Sequence, residues 1–228
     1  MSDFAQLLPL MMLAAVLGLD SVSFPQAMIS RPIIAATAAA TLLGDPARGL
    51  LVGATLEMFA LETLPFGASR YPEWGSASVV GGSLFAIHGD TSPGALAVAV
   101  LAALVCGWIG GWSMVQLRKF NARLARARHE AVASGSKRVV EGLQVFGLTA
   151  DLARGAALSG ITLVAFRPVQ NYVLGTWGSD PRVSRAVVVG VAASVAGAAV
   201  WKVVHAAPGA RWLLLAGIAV GLALLALR

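Results

Sequence analysis

Charge is what this sequence has least of. Only 12% of its 228 residues are Asp, Glu, Lys or Arg, where soluble domains carry about 25%. So small a polar supply cannot cover a water-facing surface, which excludes a soluble globule. Cysteine is nearly missing as well. Cys106 stands alone, so no disulfide framework can close within the chain and no cysteine-based metal site is available. No Walker loop, dinucleotide fingerprint, zinc motif or Ser-His-Asp arrangement occurs. Soluble enzymology is thereby removed, and neither a cofactor nor a bound metal is expected. A basic leader is lacking too: Met1 to Gln6 holds Asp3 and no Lys or Arg. The first apolar segment is therefore expected to stay in the mature protein.

What is present is apolar. Hydrophobic residues make up 57% of the chain, and the mean hydropathy is +0.77. Disorder is excluded, because such a chain buries ample apolar area to order itself. The expected class is an all-α polytopic membrane protein. Its apolar runs are oddly cut: residues 4–19, 33–44, 49–61, 92–116, 147–166, 186–204 and 212–227. A simple span needs about 20 apolar residues, and several runs fall short, with Gly, Pro and acidic residues at the breaks. Broken or re-entrant helices account for this, since non-helical backbone at membrane depth survives only where protein or a cavity shelters it. Roughly seven to nine embedded segments follow from this spacing.

The net charge of +6 is local rather than general. Residues 117–141 hold 7 of the 17 Lys and Arg, against Glu130 and Glu141. A short basic stretch between apolar segments sets topology and lies on the cytoplasmic side. Its default neighbour is anionic membrane lipid, and nucleic acid is not an expected partner. The chain is thus read as one membrane-embedded domain, residues 1–228. It comprises a first helical group at 1–116, a basic cytoplasmic loop at 117–141 and a second helical group at 142–228. Within the basic stretch, Leu117, Phe120, Leu124 and Ala127 recur at helical spacing, giving a face that suits a membrane surface or a partner.

Charges inside apolar runs are costly and mark functional candidates. Glu57 is the sharpest, in Gly53-Ala54-Thr55-Leu56-Glu57-Met58 with no cation nearby in sequence. Its carboxylate must be protonated, paired or turned to a polar cavity. It serves either a polar solute or a structural hydrogen-bond network. Thr55 adds a hydroxyl to the same site if the helix is broken there. Glu62 lies beside the break at Pro65 and Gly67, as a site residue or an interfacial helix end. Asp20 opens a polar interruption running to Gln26, of the kind that lines transporter cavities; a helix cap and ordinary loop is the alternative. Arg31-Pro32 reads as a helix start, with Arg31 anchoring at the interface or reaching an acid such as Asp20. Asp45 in Gly44-Asp45-Pro46 is read as the cap of the next helix. His88 and His205 are read as interfacial.

These residues also carry a resemblance. Arg31-Pro32-Ile33-Ile34-Ala35, Leu42-Leu43-Gly44-Asp45 and Gly49-Leu50-Leu51-Val52-Gly53-Ala54-Thr55-Leu56-Glu57-Met58 resemble the mannose/sorbose-type enzyme IIC of the bacterial phosphotransferase system (PTS). Residues 20–26 and Phe66-Gly67-Ala68 fit the same pattern, and the strong resemblance covers residues 15–85. It implies a sugar-translocating permease subunit of the bacterial cytoplasmic (inner) membrane, working with an enzyme IID membrane subunit. A trimer of IIC–IID heterodimers is implied, with phosphoryl groups passing from HPr through IIA and IIB to an incoming hexose. The subunit itself would carry no phosphorylated or catalytic residue. By position, Glu57 and Thr55 would hydrogen-bond sugar hydroxyls, with Asp20, Gln26, Glu62, Gly67 and Ser69 nearby. The cluster Arg70-Tyr71-Pro72-Glu73-Trp74 departs from the familiar pattern. Two other readings remain open: a transport-inactive scaffold or sensor that keeps the fold, and a proton-coupled carrier using Glu57 and Glu62.

Overall fold

The computed structural model describes residues 3–21, 23–61, 70–87, 92–177, 180, 182–183, 185–186, 189–190, 193–194, 197, 200 and 209–226. Among them every regular element is helical. The order is α1 (Asp3–Asp20), α2 (Pro32–Leu42), α3 (Pro46–Ala60), α4 (Trp74–Ile87), α5 (Pro93–Ala127), α6 (His129–Ala133), α7 (Lys137–Trp177) and α8 (Ala210–Ala226). Glu62, Gly67, Ser69, His88 and His205 lie outside the described residues.

Local chemistry sets the boundaries. Pro32, Pro46 and Pro93 open their helices, where the missing N–H costs nothing and φ is already helical. Gly44, at φ +85°, ends α2 in a left-handed cap. Its N–H reaches Thr41 O at 3.0 Å while Asp45 N–H reaches Ala40 O at 2.9 Å, the paired bonds of a Schellman motif. Asp45 then caps α3 as expected, accepting from Arg48 N–H and pairing with Arg48 Nε at 2.9 Å. Asp45→Ala is expected to lower stability by about 1 kcal/mol, read as a lower thermal midpoint with unchanged helix content.

Two helices, Pro93–Ala127 and Lys137–Thr176, are long and apolar enough to cross a membrane. Three shorter apolar helices, Leu7–Asp20, Pro32–Leu42 and Trp74–Ile87, accompany them. Helix α4 was not among the expected apolar runs, yet it is the axis of the bundle. Every residue from Gly75 to Ala86 is buried, packed among α1, α2, α3, α5 and α7. Small residues permit this. A Cβ on Gly82 would strike the backbone of Ala36 in α2, one on Gly75 the carbonyl of Leu17 in α1, and one on Gly111 of α5 the carbonyl of Tyr71. Close backbone approach through small residues is how helices associate when lipid offers no hydrophobic drive between them. Other large apolar side chains point outward: Met12 is 62% exposed, Trp108 64% and Ile161 70%. Close contacts at small residues inside an apolar exterior suit a lipid surrounding.

Most of the basic stretch 117–141 is helical, with turns at Arg128 and at residues 134–136. Helix α5 continues to Ala127, α6 follows, and Gly135 at φ +74° turns the chain into α7. The 35 residues of α5 extend about 52 Å, well beyond a hydrocarbon core of about 30 Å. The basic stretch is thus the far end of a helical hairpin, braced by a Phe120–Phe146 ring contact at 6.0 Å.

Candidate functional site: a charged layer at one end of the bundle

Asp20 of α1, Glu57 of α3, Glu73 just before α4, Arg118 of α5 and Asp151 and Arg154 of α7 gather toward the end from which the basic hairpin projects. Gly49, Gly53 and Glu57 form one stripe of α3 at i, i+4, i+8. A Cβ on Gly49 would lie 2.5 Å from Ala36 O, and one on Gly53 2.8 Å from Ile33 Cα, so the stripe rests against the α2 backbone. The same stripe delivers Glu57 to the N-terminus of α2. There Glu57 forms an ion pair with Arg31 and accepts the Ile33 N–H at 3.3 Å. A carboxylate at a helix start gains from unpaired amides and the helix dipole together. Arg31 therefore reaches Glu57, not Asp20, and the cation that sequence proximity failed to show stands 26 positions upstream.

Asp20 closes the loop between α1 and α2. It is 2% exposed and accepts N–H groups from Ala27 at 2.7 Å and Ser30 at 2.9 Å. Inside this loop Gln26 and Met28 sit at φ 58° and 61°, a region side chains rarely adopt and that costs energy to hold. Asp20 stabilises that path, and the loop in turn sets Arg31 against Glu57. Asp20, the Gln26 loop, Arg31 and Glu57 are thereby brought together. Thr55 is not. Its hydroxyl donates to Leu51 O at 2.9 Å in its own helix, and α3 runs unbroken to Ala60. At 100° per residue Thr55 lies roughly 200° around the helix from Glu57.

Further charged groups occupy the same layer without having been marked as site residues. Glu73 is fully buried. Its Oε1 caps α4 by accepting Ser76 N–H at 2.9 Å, while its own N–H donates to Gly107 O at 2.9 Å. Asp151 and Arg154, an i, i+3 pair visible in sequence, form a 2.8 Å ion pair. Arg154 also donates to Ser113 Oγ at 3.2 Å and Gly110 O at 3.3 Å, and Ser23 Oγ donates to Asp151 at 3.3 Å. Arg118 donates to the Tyr71 hydroxyl at 2.8 Å. The Glu-x-x-Ser spacing after Pro72 was the signal for Glu73; Arg118 and Asn121 had none beyond membership of the basic stretch. At the hairpin base lies a cavity of about 530 Å³, lined among others by Ser23, Phe24, Arg118, Asn121, Gln144 and Asp151. That is within the usual range of small-molecule sites.

An all-α bundle with a lipid-suited exterior, a charged layer at one end and a cavity beside it defines a polytopic membrane protein. The chain belongs to the family of sorbose-specific IIC components of the PTS, which matches residues 4–176. It is 35% identical over 101 residues to the fructose permease IIC component of Bacillus subtilis, covering 43% of this chain and 37% of that one. It is 34% identical over 101 residues to the mannose-specific EIIC component of Escherichia coli, with the same coverage. Against the sorbose-specific EIIC component of Klebsiella pneumoniae it is 27% identical over 143 residues, 63% of this chain and 52% of the relative. These matches thus span between 37% and 52% of the relatives' lengths. Among solved structures, one membrane protein superposes with a TM-score of 0.72 at 20% identity, covering 97% of this chain and 88% of the other. A chain from the mannose transporter ManYZ bound to a microcin superposes with a TM-score of 0.60 at 21% identity, covering 96% and 87%. The shared fold is that of these membrane proteins.

Proposed function

We propose that this chain is the sugar-translocating IIC subunit of a mannose/sorbose-type phosphotransferase system. It binds a hexose for transport coupled to phosphorylation. The observation that carries this reading is that the family match, residues 4–176, contains all the charged groups of the layer described above. Relatives named for fructose, mannose and sorbose support a hexose as the substrate class. Glu57, oriented by Arg31 and 15% exposed at its side chain, accepts hydrogen bonds from sugar hydroxyls. Asp20 and Gln26 shape the loop beside it; Glu62, Gly67 and Ser69 are further candidate sugar contacts, whereas Thr55 bonds within its own helix and lies on another face of α3. The phosphoryl group comes from partner proteins: IIA and IIB relay it, and an enzyme IID membrane subunit completes the permease as a trimer of heterodimers. The location is the bacterial cytoplasmic membrane, with the basic hairpin inside.

Sugar-dependent thermal stabilisation tests this. A hexose that binds only the folded state at a hundred times its dissociation constant adds about 2.7 kcal/mol. The expected result is an upward shift of the thermal midpoint with one of D-mannose, D-fructose or L-sorbose, lost in Glu57→Ala. No shift with any hexose, in the chain alone or with its IID partner, would overturn the assignment and favour a scaffold or sensor.

A further inference from the structure

We propose that the cavity at the base of the basic hairpin is a second binding site, distinct from Glu57, for a neutral polyhydroxylated ligand. The inference rests on the sugar reading above. Two buried groups that line the cavity have no hydrogen-bond partner among the described residues: Nη1 of Arg118 and Oδ1 of Asn121. Buried polar atoms are nearly always paired in folded proteins, and leaving one unpaired is costly. Here a donor and an acceptor are unpaired together, three residues apart on one face of α5, and a ligand that draws these two half-buried side chains toward the cavity satisfies both.

The chemistry of the remaining wall selects the ligand. Asp151 presents a buried carboxylate, held in place by Arg154 and Ser23. The acceptors Asn121 Oδ1 and the Asp151 carboxylate, the latter already paired with Arg154, call for a ligand that donates, which a fully ionised anion cannot do. Hydroxyl groups suit both: each donates to Asn121 or Asp151 and accepts from Arg118. Phe24, 68% exposed at the rim, supplies an apolar face for the C–H side of a sugar ring. Gln144, exposed on the opposite wall, adds a further donor and acceptor. Glu57 does not line this cavity; its carboxylate stands at the start of α2, beside Arg31 and Ile33. The two sites are therefore separate stations at the same end of the bundle.

Site-directed labelling reads occupancy directly. The full chain in lipid nanodiscs, carrying Gln144→Cys, is treated with a membrane-impermeant maleimide with and without D-mannose, D-fructose or L-sorbose. Native Cys106 is buried and does not compete. With the bound hexose at about ten times its dissociation constant, labelling at position 144 slows roughly tenfold. A Val132→Cys control at the hairpin tip keeps its rate. Asn121→Leu, in the same background, weakens the protecting hexose about tenfold. Hexose binding by calorimetry with unchanged labelling at 144 and full affinity in Asn121→Leu overturns the second site and leaves the sugar reading standing. No hexose binding in the wild type overturns both. Protection by inorganic phosphate or a hexose phosphate, and by no neutral hexose, overturns the choice of ligand.

Discussion

Gly82→Val is expected to leave no folded, monodisperse protein after extraction from the membrane, and Gly82→Ala to lower the unfolding free energy by about 3 kcal/mol. The sign matters, because alanine in place of glycine inside a helix ordinarily gains about 1 kcal/mol. At Gly82 that gain is overrun. An added Cβ would meet the carbonyl oxygen of Ala36 and lie 2.8 Å from its Cα. Backbone cannot swing aside as a side chain can, so α2 and α4 would have to separate. Their separation would also withdraw α2 from the stripe that presents Glu57. Gly142→Ala is the control: an added Cβ there meets nothing within 4 Å, and stability is expected to hold or rise. Thermal unfolding in detergent measures all three. Equal midpoints for Gly82→Ala and wild type would refute the packing argument.

Arg31→Ala is expected to cost about 2 kcal/mol of stability, more than Glu57→Gln costs. The asymmetry follows from exposure. The Glu57 side chain is 15% exposed and the Arg31 side chain 36%. Deleting the arginine strands a largely sheltered carboxylate with only the Ile33 amide. Deleting the negative charge instead leaves a guanidinium able to reach water, and glutamine still accepts from Ile33. Partial exposure holds the figure below the 3–5 kcal/mol of a fully buried pair. Arg31→Ala combined with Glu57→Gln should therefore be more stable than Arg31→Ala alone. Purely additive losses in that double-mutant cycle would show that the two residues act independently.

Much of this was legible from residue types. The composition gave the membrane class, Pro32 and Pro46 gave the starts of α2 and α3, and Asp45 gave its cap. The helical spacing of Leu117, Phe120, Leu124 and Ala127 announced helix within the basic stretch. Helix α4 escaped because Trp74-Gly75-Ser76-Ala77-Ser78 lacks the long aliphatic residues by which a buried segment is usually noticed. Its burial depends on being thin, and although Val79, Val80, Leu84, Phe85 and Ile87 make the segment apolar, Gly81-Gly82-Ser83 splits them into two short runs. The partner of Glu57 escaped for another reason. The Gly49–Gly53 stripe fixes which face of α3 meets α2, but only the antiparallel hairpin shows that this face ends beside Arg31. Thr55 was grouped with Glu57 by nearness in sequence, and an unbroken helix carries it to another face. The pairing of Arg154 with Ser113 joins residues 41 apart and has no local sequence signature.

The position of α4 also bears on how the chain is made. Its 14 residues measure about 21 Å as a helix, too little to cross the bilayer unaided. Its coat comes from both sides of the sequence: α1 precedes it, while Gln170 of α7 donates to the Leu84 carbonyl at 2.8 Å across 86 positions. During synthesis the earlier helices therefore wait with one flank of α4 unclosed until residue 170 has left the ribosome. Assembly is gated by the arrival of α7, and a nascent chain halted before that point has its central helix still uncovered on that flank.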